Sequence, residues 1–435
     1  MKRLAALALA TALLALPGQA LAADPLLRSQ QWNLDMVEAD AAHATSTGRG
    51  AVVAVIDSGV NLSHPDLAGR LLAGRDFVDG DSTPQDGDGH GTHIAGIVAA
   101  SSGNGEGVES VAPDAQILPL RVLDDNGEGF TEDVVAAVDY AVAQGADVIN
   151  LSLSSTLPLL GDLLDPTFGR AIDRALDRGV IVVAVAGNSS LPICESPSGQ
   201  GRLLCVGAVD RRRQRSAYSS FGLGLGLMAP GGSAAPAEGE NILSTYTSPL
   251  YEEVAGTSQA SPHVAGVAAL LVSRGVHGQA AVRRILATAS DSGSPGPDIV
   301  YGAGIVNARR AVAGLPRDAG EIRPEPPSQD PSASPRSGGS AVRISVPRRQ
   351  RLRAVLRRGI LVRCRAAGAG RCTVSATRRG RRVARGSKRL RAGRTTSFRV
   401  RIRRGSRRSL RRGTRLRLTI RAPGAGPVRR TVILR

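Results

Sequence analysis

No acidic residue occurs after position 340 of this 435-residue chain. Residues 341–435 hold 33 of the 56 Lys+Arg and none of the 37 Asp+Glu, which leaves the first 340 residues with 23 basic against 37 acidic groups. The chain therefore divides into halves of opposite charge, and its net +19 describes neither. Lysine is nearly missing, with only Lys2 and Lys388 present, so the basic half is an arginine surface. That half also has a single aromatic residue, Phe398, which excludes a base-stacking platform for nucleic acid. No Cys-x-x-Cys pair is present, so a cysteine metal knuckle is excluded. After the first 22 residues no apolar run is long enough for a transmembrane segment.

What is present begins with a leader. Lys2 and Arg3, the apolar run Leu4 to Leu16, and Ala20-Leu21-Ala22 have the order of a secretory signal peptide over 1–22. Cleavage after Ala22 would place Asp24 second in the mature chain, with no room for an inhibitory pro-segment between them. Export makes disulfides available, and the four cysteines fall as two close pairs, Cys194 with Cys205 and Cys364 with Cys372.

From 23 to 315 short apolar runs alternate with helical stretches, the pattern of an α/β domain. Strands are expected at 51–56, 117–122, 147–152, 180–185 and 204–208, and helices at 131–144, 167–178, 258–274 and 279–289. The strand runs are continuously apolar rather than alternating, which calls for a mainly parallel sheet with helices on both faces. Residues 316–340, rich in Pro, Ser and Gly, read as a linker. Beyond it the apolar period becomes two, as in Ile360, Val362 and Cys364 or Leu416, Leu418 and Ile420, which predicts a small all-β sandwich-like domain over 341–435. A bridge between Cys364 and Cys372 is expected to clip a hairpin there.

Three short motifs carry chemistry. Asp57 ends an apolar strand in Val55-Ile56-Asp57-Ser58-Gly59, at the edge where parallel sheets build their sites. His90 opens a helix in Gly89-His90-Gly91-Thr92-His93. Ser258 stands on a Gly-Thr turn at the start of another helix, Gly256-Thr257-Ser258-Gln259-Ala260-Ser261-Pro262-His263, where free backbone N–H groups favour developing negative charge. An aspartate, a histidine and a serine complete the set needed for nucleophilic catalysis: a nucleophile, a base, and a carboxylate that fixes the base's tautomer.

In these motifs and their order, residues 24–312 resemble the subtilisin-like serine peptidases, and Asp76-Phe77-Val78-Asp79-Gly80-Asp81-Ser82-Thr83-Pro84-Gln85 is similar to the thermitase branch. The resemblance implies a secreted endopeptidase acting on polypeptides, with Asn188 as a side-chain oxyanion donor. It assigns Gly127, Glu128 and Gly129, and Ser152, Leu153 and Ser154, to edges that pair with substrate, and Ser152, Leu153, Val185, Ala186 and Gly187 to the first specificity pocket. Glu195, beside Cys194, is expected to reach that pocket and admit basic side chains. Ser154-Ser155 stand where the family usually has Gly-Gly, and Gln259 where it usually has Met, which narrows the expected breadth of cleavage. His93 and His263 fit supporting roles.

Asp76, Asp79, Asp81, Thr83 and Gln85 offer hard oxygens at odd spacings round a glycine turn, as Ca2+ requires, and match the thermitase-type calcium loop. The resemblance implies a second structural Ca2+ at Asp24, Asp66 and Asn104. No organic cofactor is expected, and the working unit is taken as a monomer. The basic domain suits anionic cell-envelope polymers. The alternative to catalysis is a noncatalytic envelope-binding protein on a peptidase fold, which the complete set of catalytic groups disfavours.

Overall fold

The computed structural model describes residues 25–153, 167–195, 201–235, 237–316 and most of 343–434. The leader, Asp24, Ser154, Ser155 and the linker from residue 317 lie outside the described residues.

Seven strands form one sheet: β1 (Val52–Asp57), β2 (Arg75–Asp76), β3 (Gln116–Arg121), β4 (Val148–Leu151), β5 (Ile181–Val185), β6 (Leu204–Val209) and β7 (Leu227–Pro230). Their order is β2-β3-β1-β4-β5-β6-β7, and every pairing is parallel. The expected strands are all present, with ends moved by one or two residues. Continuous apolar sequence has the reason anticipated: successive residues alternate between two cores. Val53 and Val55 of β1 enter one core, and Val52, Ala54 and Ile56 enter the other.

The first core is roofed by α1 (Trp32–Val37), α2 (Ala39–His43), α3 (His90–Ala99), α6 (Thr257–Val272), α7 (Gly278–Thr288) and α8 (Ala308–Val312). The second is covered by α4 (Thr131–Ala143) and α5 (Thr167–Asp177). A two-stranded ribbon, β8 (Ile242–Thr245) with β9 (Tyr251–Val254), packs on α3. The strand order reverses between β1 and β4, and in open parallel sheets the carboxyl ends of strands at such a reversal are where ligands bind.

Helix α6 carries the packing. Fifteen of its sixteen residues are buried, Ser258 being the exception, and it contacts β1, β4, β5, β6, β7 and α3. Small residues make this possible. A Cβ at Gly266 would lie 2.6 Å from Cβ of Val111, so glycine there sets how closely the helix approaches its neighbour.

The C-terminal unit is built mainly of β-strands. β10 (Arg343–Ser345), β12 (Ile360–Arg365) and β15 (Thr396–Val400) form a three-stranded antiparallel sheet. β11 (Arg349–Gln350), β13 (Gly370–Arg378), β14 (Arg381–Leu390), β16 (Arg415–Arg421) and β17 (Val428–Leu434) form a five-stranded sheet. Helix α9 (Leu352–Arg358), which periodicity did not indicate, packs Val355 into the core between them.

Both disulfides are formed as paired from the sequence. One expectation is corrected. Cys364 lies in β12 and Cys372 in β13, strands of different sheets, so this bridge joins the two layers and does not clip a hairpin. The domain touches the N-terminal half through Arg363, whose guanidinium pairs with Asp124 at 2.9 Å and lies 5.5 Å over the Phe130 ring.

Replacing Gly266 by Ala should lower stability by about 1–3 kcal/mol through overpacking against Val111, although Ala ordinarily favours a helix by about 1 kcal/mol over Gly. Urea unfolding followed by circular dichroism measures this. A midpoint equal to or above that of the parent would contradict it.

Candidate active site

Asp57 ends β1 and is 1% exposed. Its Oδ1 accepts hydrogen bonds from the Ser58 N–H at 2.7 Å and from His90 Nδ1 at 2.7 Å. Because Nδ1 donates to the carboxylate, Nε2 of His90 is the nitrogen left with a lone pair. His90 begins α3, and a Cβ at Gly91 would stand 2.1 Å from the Gly59 carbonyl oxygen. Glycine at 91 therefore lets the helix start press against the end of β1.

Asp86, which the sequence reading passed over, anchors the approach to that helix. Its Oδ1 accepts from Ser58 Oγ, Asp88 N–H and Gly89 N–H, and its Oδ2 from the Thr92 N–H and Oγ1. Burial pulls the His90 pKa down, but the Asp57 carboxylate, with Asp88 and Asp86 behind it, outweighs burial and raises the imidazole above its ordinary 6.5.

Ser258 is the second residue of α6, and its Oγ donates to the Ser152 carbonyl oxygen at a long 3.4 Å. Pro262 lies four residues on and has no N–H to offer the Ser258 carbonyl. Ser152 Oγ fills that place, donating to the Ser258 carbonyl oxygen at 3.1 Å while accepting from Asn150 Nδ2 at 2.8 Å. The side chain of Ser152 is thus turned to the helix, and its backbone carbonyl faces the nucleophile candidate.

Asn188 follows β5 and is exposed. Its Oδ1 accepts from both the N–H and the Oγ1 of Thr257, each at 2.9 Å, so the amide NH2 is directed away from that residue. Gly127–Gly129 form a tight turn after β3, closed by Asp124 N–H to the Glu128 carbonyl at 2.9 Å and by pairing of Leu123 with Gly129. Val185, Ala186 and Gly187 are buried at the end of β5, with Leu153 half-buried beside β4.

The two calcium sets differ. In the first, Arg121 of β3 donates to Asp76 at 2.6 Å and Asp79 at 3.1 Å, so a guanidinium already balances two of the carboxylates. Asp81 Oδ1 is engaged by the Thr83 N–H and Gln85 Oε1 by the Leu62 N–H. In the second, Asp66 is fully buried and faces neutral donors: Asn104 Nδ2 at 3.0 Å and the Val108 N–H at 2.9 Å. Its charge also helps hold the Tyr251 phenol well above its usual range, though burial is the larger cause. A buried carboxylate with neutral neighbours suits a hard cation better than the Arg121-filled loop does. Asp40, His43 and Glu109 form the one trio of His, Cys, Asp or Glu ligand atoms found within 4.8 Å among the described residues, but Arg28 already binds into it at Asp40 and Glu109.

The subtilase family profile matches residues 48–304, more than half of the chain. The chain belongs to the subtilase family. It is 39% identical over 289 residues to thermitase of Thermoactinomyces vulgaris, an alignment spanning 66% of this chain and 98% of that protein. Subtilisin Savinase of Lederbergia lenta is 38% identical over 288 residues, spanning 66% and 99%. Among solved structures, a protease of Pseudoalteromonas arctica PAMC 21717 superposes with a TM-score of 0.60 at 32% identity, covering 67% of this chain and 99% of that one. This subtilase is accordingly a subtilisin-like serine endopeptidase.

Two further histidines of the subtilase stay neutral. His93 Nε2 donates to the carbonyls of Ile242 and Glu252, tying α3 to the β8–β9 ribbon. His263 Nδ1 donates to the Gln259 carbonyl at 2.9 Å, which leaves Nε2 to accept from Asn33 Nδ2 at 2.9 Å. This chain from α1 to the residue after Ser258 had no local signal in the sequence. Gln259 itself is buried, and its Nε2 has no partner among the described residues.

Burial holds His93 at about 3 and His263 at about 4, against an ordinary 6.5. With folded values depressed, the unfolded chain takes up protons first as pH falls. Their contribution to stability is full above about 6.5, declines below it, and is lost once pH has fallen through the folded values. The urea midpoint of the Ser258→Ala protein should therefore fall between pH 6.5 and 4, and less steeply in His263→Gln. An unchanged slope in His263→Gln would contradict this account.

Proposed function

We propose that this subtilase is a secreted endopeptidase that cleaves polypeptides through Asp57, His90 and Ser258 and an acyl-enzyme intermediate. The observation that carries the reading is the 2.7 Å bond from His90 to a buried Asp57, which leaves Nε2 of His90 as the nitrogen able to accept a proton. Ser258 Oγ attacks the scissile carbonyl as His90 Nε2 accepts its proton, and Asp57 stabilises the imidazolium that forms. The oxyanion is received by the Asn188 NH2 and the Ser258 N–H, the latter at the start of α6. His90 then returns the proton to the leaving amine. Water, activated by the same base, releases the acyl group.

Substrate extends along Gly127–Gly129 and the backbone of Ser152–Ser154 as an added strand, a mode that needs only the backbone groups of the peptide. Structural Ca2+ would be held by Asp66, Asn104 and Asp24, and by Asp76, Asp79, Asp81, Thr83 and Gln85, and would stabilise the fold without entering the reaction. The domains are proposed to work as divided at 23–315 and 341–435. The second, with its arginine surface, would hold the protein on anionic envelope polymers after export. No helix of the described residues is long and apolar enough to cross a membrane. A noncatalytic binding role is disfavoured because the sequence carries each residue type that catalysis needs.

Ser258→Ala should abolish casein cleavage. With a raised His90 pKa, kcat/KM should climb as pH rises through a midpoint above 6.5, because only neutral imidazole accepts the serine proton. Asp57→Asn should lower kcat by on the order of 10⁴-fold and move that midpoint down. A midpoint that stays in place in Asp57→Asn would contradict the pairing. For the metal, a chelator should lower the melting temperature of the Ser258→Ala protein, and Asp66→Asn should reduce that loss; no change on chelation would overturn both calcium assignments.

A further inference from the structure

Glu195 is held beside the end of β5 by two constraints. Cys194, its neighbour, is bridged to Cys205 of β6, and the Glu195 N–H donates to the Ala186 carbonyl at 2.8 Å. The residue is 4% exposed. Its carboxylate lies against Gly187: a Cβ on that glycine would fall 2.3 Å from Glu195 Cδ and 2.4 Å from Oε1. Gly187 has a φ of +104°, a left-handed backbone that favours glycine, and the carboxylate fills the space a side chain would have taken.

All hydrogen-bond partners of this carboxylate among the described residues are neutral. Ser220 Oγ donates to Oε1 at 2.5 Å, the Ser189 N–H to Oε1 at 3.2 Å, and Ser189 Oγ to Oε2 at 3.2 Å. The other buried carboxylates near the site are better balanced. Asp57 faces His90, Asp76 faces Arg121, and Asp86 binds N–H groups at the start of α3. Glu195 has hydroxyls and one loop amide in place of a cation or a helix end, a neutral setting it shares with Asp66 of the proposed cation site. Such a group gains most from a positive charge brought to it, since the cost of removing it from water has already been met by the fold.

Its position says where that charge comes from. Gly187 immediately precedes Asn188, the proposed oxyanion donor, and Ser189, which binds Glu195, immediately follows it. On the peptidase reading Gly187 lines the first specificity pocket, so a substrate side chain entering that pocket would pass beside the Glu195 carboxylate. We infer that Glu195 is a specificity-determining residue that pairs with the ammonium or guanidinium of a lysine or arginine at this position, so that the substrates are polypeptides cut after basic residues. The inference rests on the peptidase reading above. The acidic excess of the first 340 residues, 37 against 23, adds long-range attraction for basic substrates.

The test compares two peptides that differ only before the scissile bond, one with lysine and one with uncharged norleucine of similar length. The full-length protein should show a kcat/KM at least about tenfold higher after lysine. Glu195→Gln should bring that ratio to near one or below, and Glu195→Asp should keep part of it. A peptidyl lysinal should likewise inhibit the unaltered protein more tightly than the norleucinal, a comparison that needs no variant to fold. Equal cleavage after the two residues, or a ratio that survives in Glu195→Gln, overturns the inference and leaves the peptidase reading standing. Failure to cleave either peptide, with no inhibition by either aldehyde, overturns both.

Discussion

Helix α6 is buried along its whole length except at Ser258, and the rest of the site depends on that single opening. A helix enclosed by five strands and by α3 cannot shift to expose another residue without breaking two layers of packing at once. The sheet's strand reversal places the carboxyl ends of β1 and β4 under the start of this helix. The Ser152 carbonyl therefore arrives beside Ser258 from the end of β4. Pro262 adds a local constraint, because the carbonyl it leaves without a helical donor is the one that Ser152 Oγ takes up.

Charge is handled in this protein by burying it with specific partners. Asp57 is drawn from water but faces an imidazole, Asp86 gathers five donors at the entrance to α3, and Asp76 shares Arg121 with Asp79. The fold also keeps neutral what must stay neutral, since His93 and His263 are enclosed among carbonyl and amide groups. The same logic sets the two halves apart. An acid-rich peptidase half and an acid-free arginine half meet at Arg363, whose planar cation both pairs with Asp124 and lies on Phe130. That contact touches the turn carrying Gly127–Gly129, so the basic domain borders the edge proposed to receive substrate.

Much of the architecture could be read from residue patterns because the strands are covered on both faces. Runs such as 52–57 and 181–185 are apolar without alternation, and no other use suits them so well. The proposed catalytic residues were legible for a related reason: Asp57, His90 and Ser258 each sit where an apolar run ends or a helix begins, with glycines close by. The ribbon β8–β9 and the strand β7 are short, and β9 carries Glu252 and Glu253 at its centre, which hides it from a search for apolar runs. Arg121 stood inside an apolar run, and its partners Asp76 and Asp79 are more than forty positions away. The Asn33–His263 bond spans 230 positions and joins two elements that carry no mark of each other. The pairing of Cys364 with Cys372 followed from their spacing, but a separation of eight residues looked like a hairpin when it is a passage from one sheet to the next.

The central claim is that one hydroxyl in this fold is a nucleophile, activated by the neutral form of His90. Reaction of the folded protein with a serine-directed fluorophosphonate, followed by peptide mapping in the mass spectrometer, tests it most directly. The account predicts one equivalent of adduct, on Ser258, formed faster as pH rises through the His90 titration. An adduct on another residue, or none on the folded protein, would contradict it.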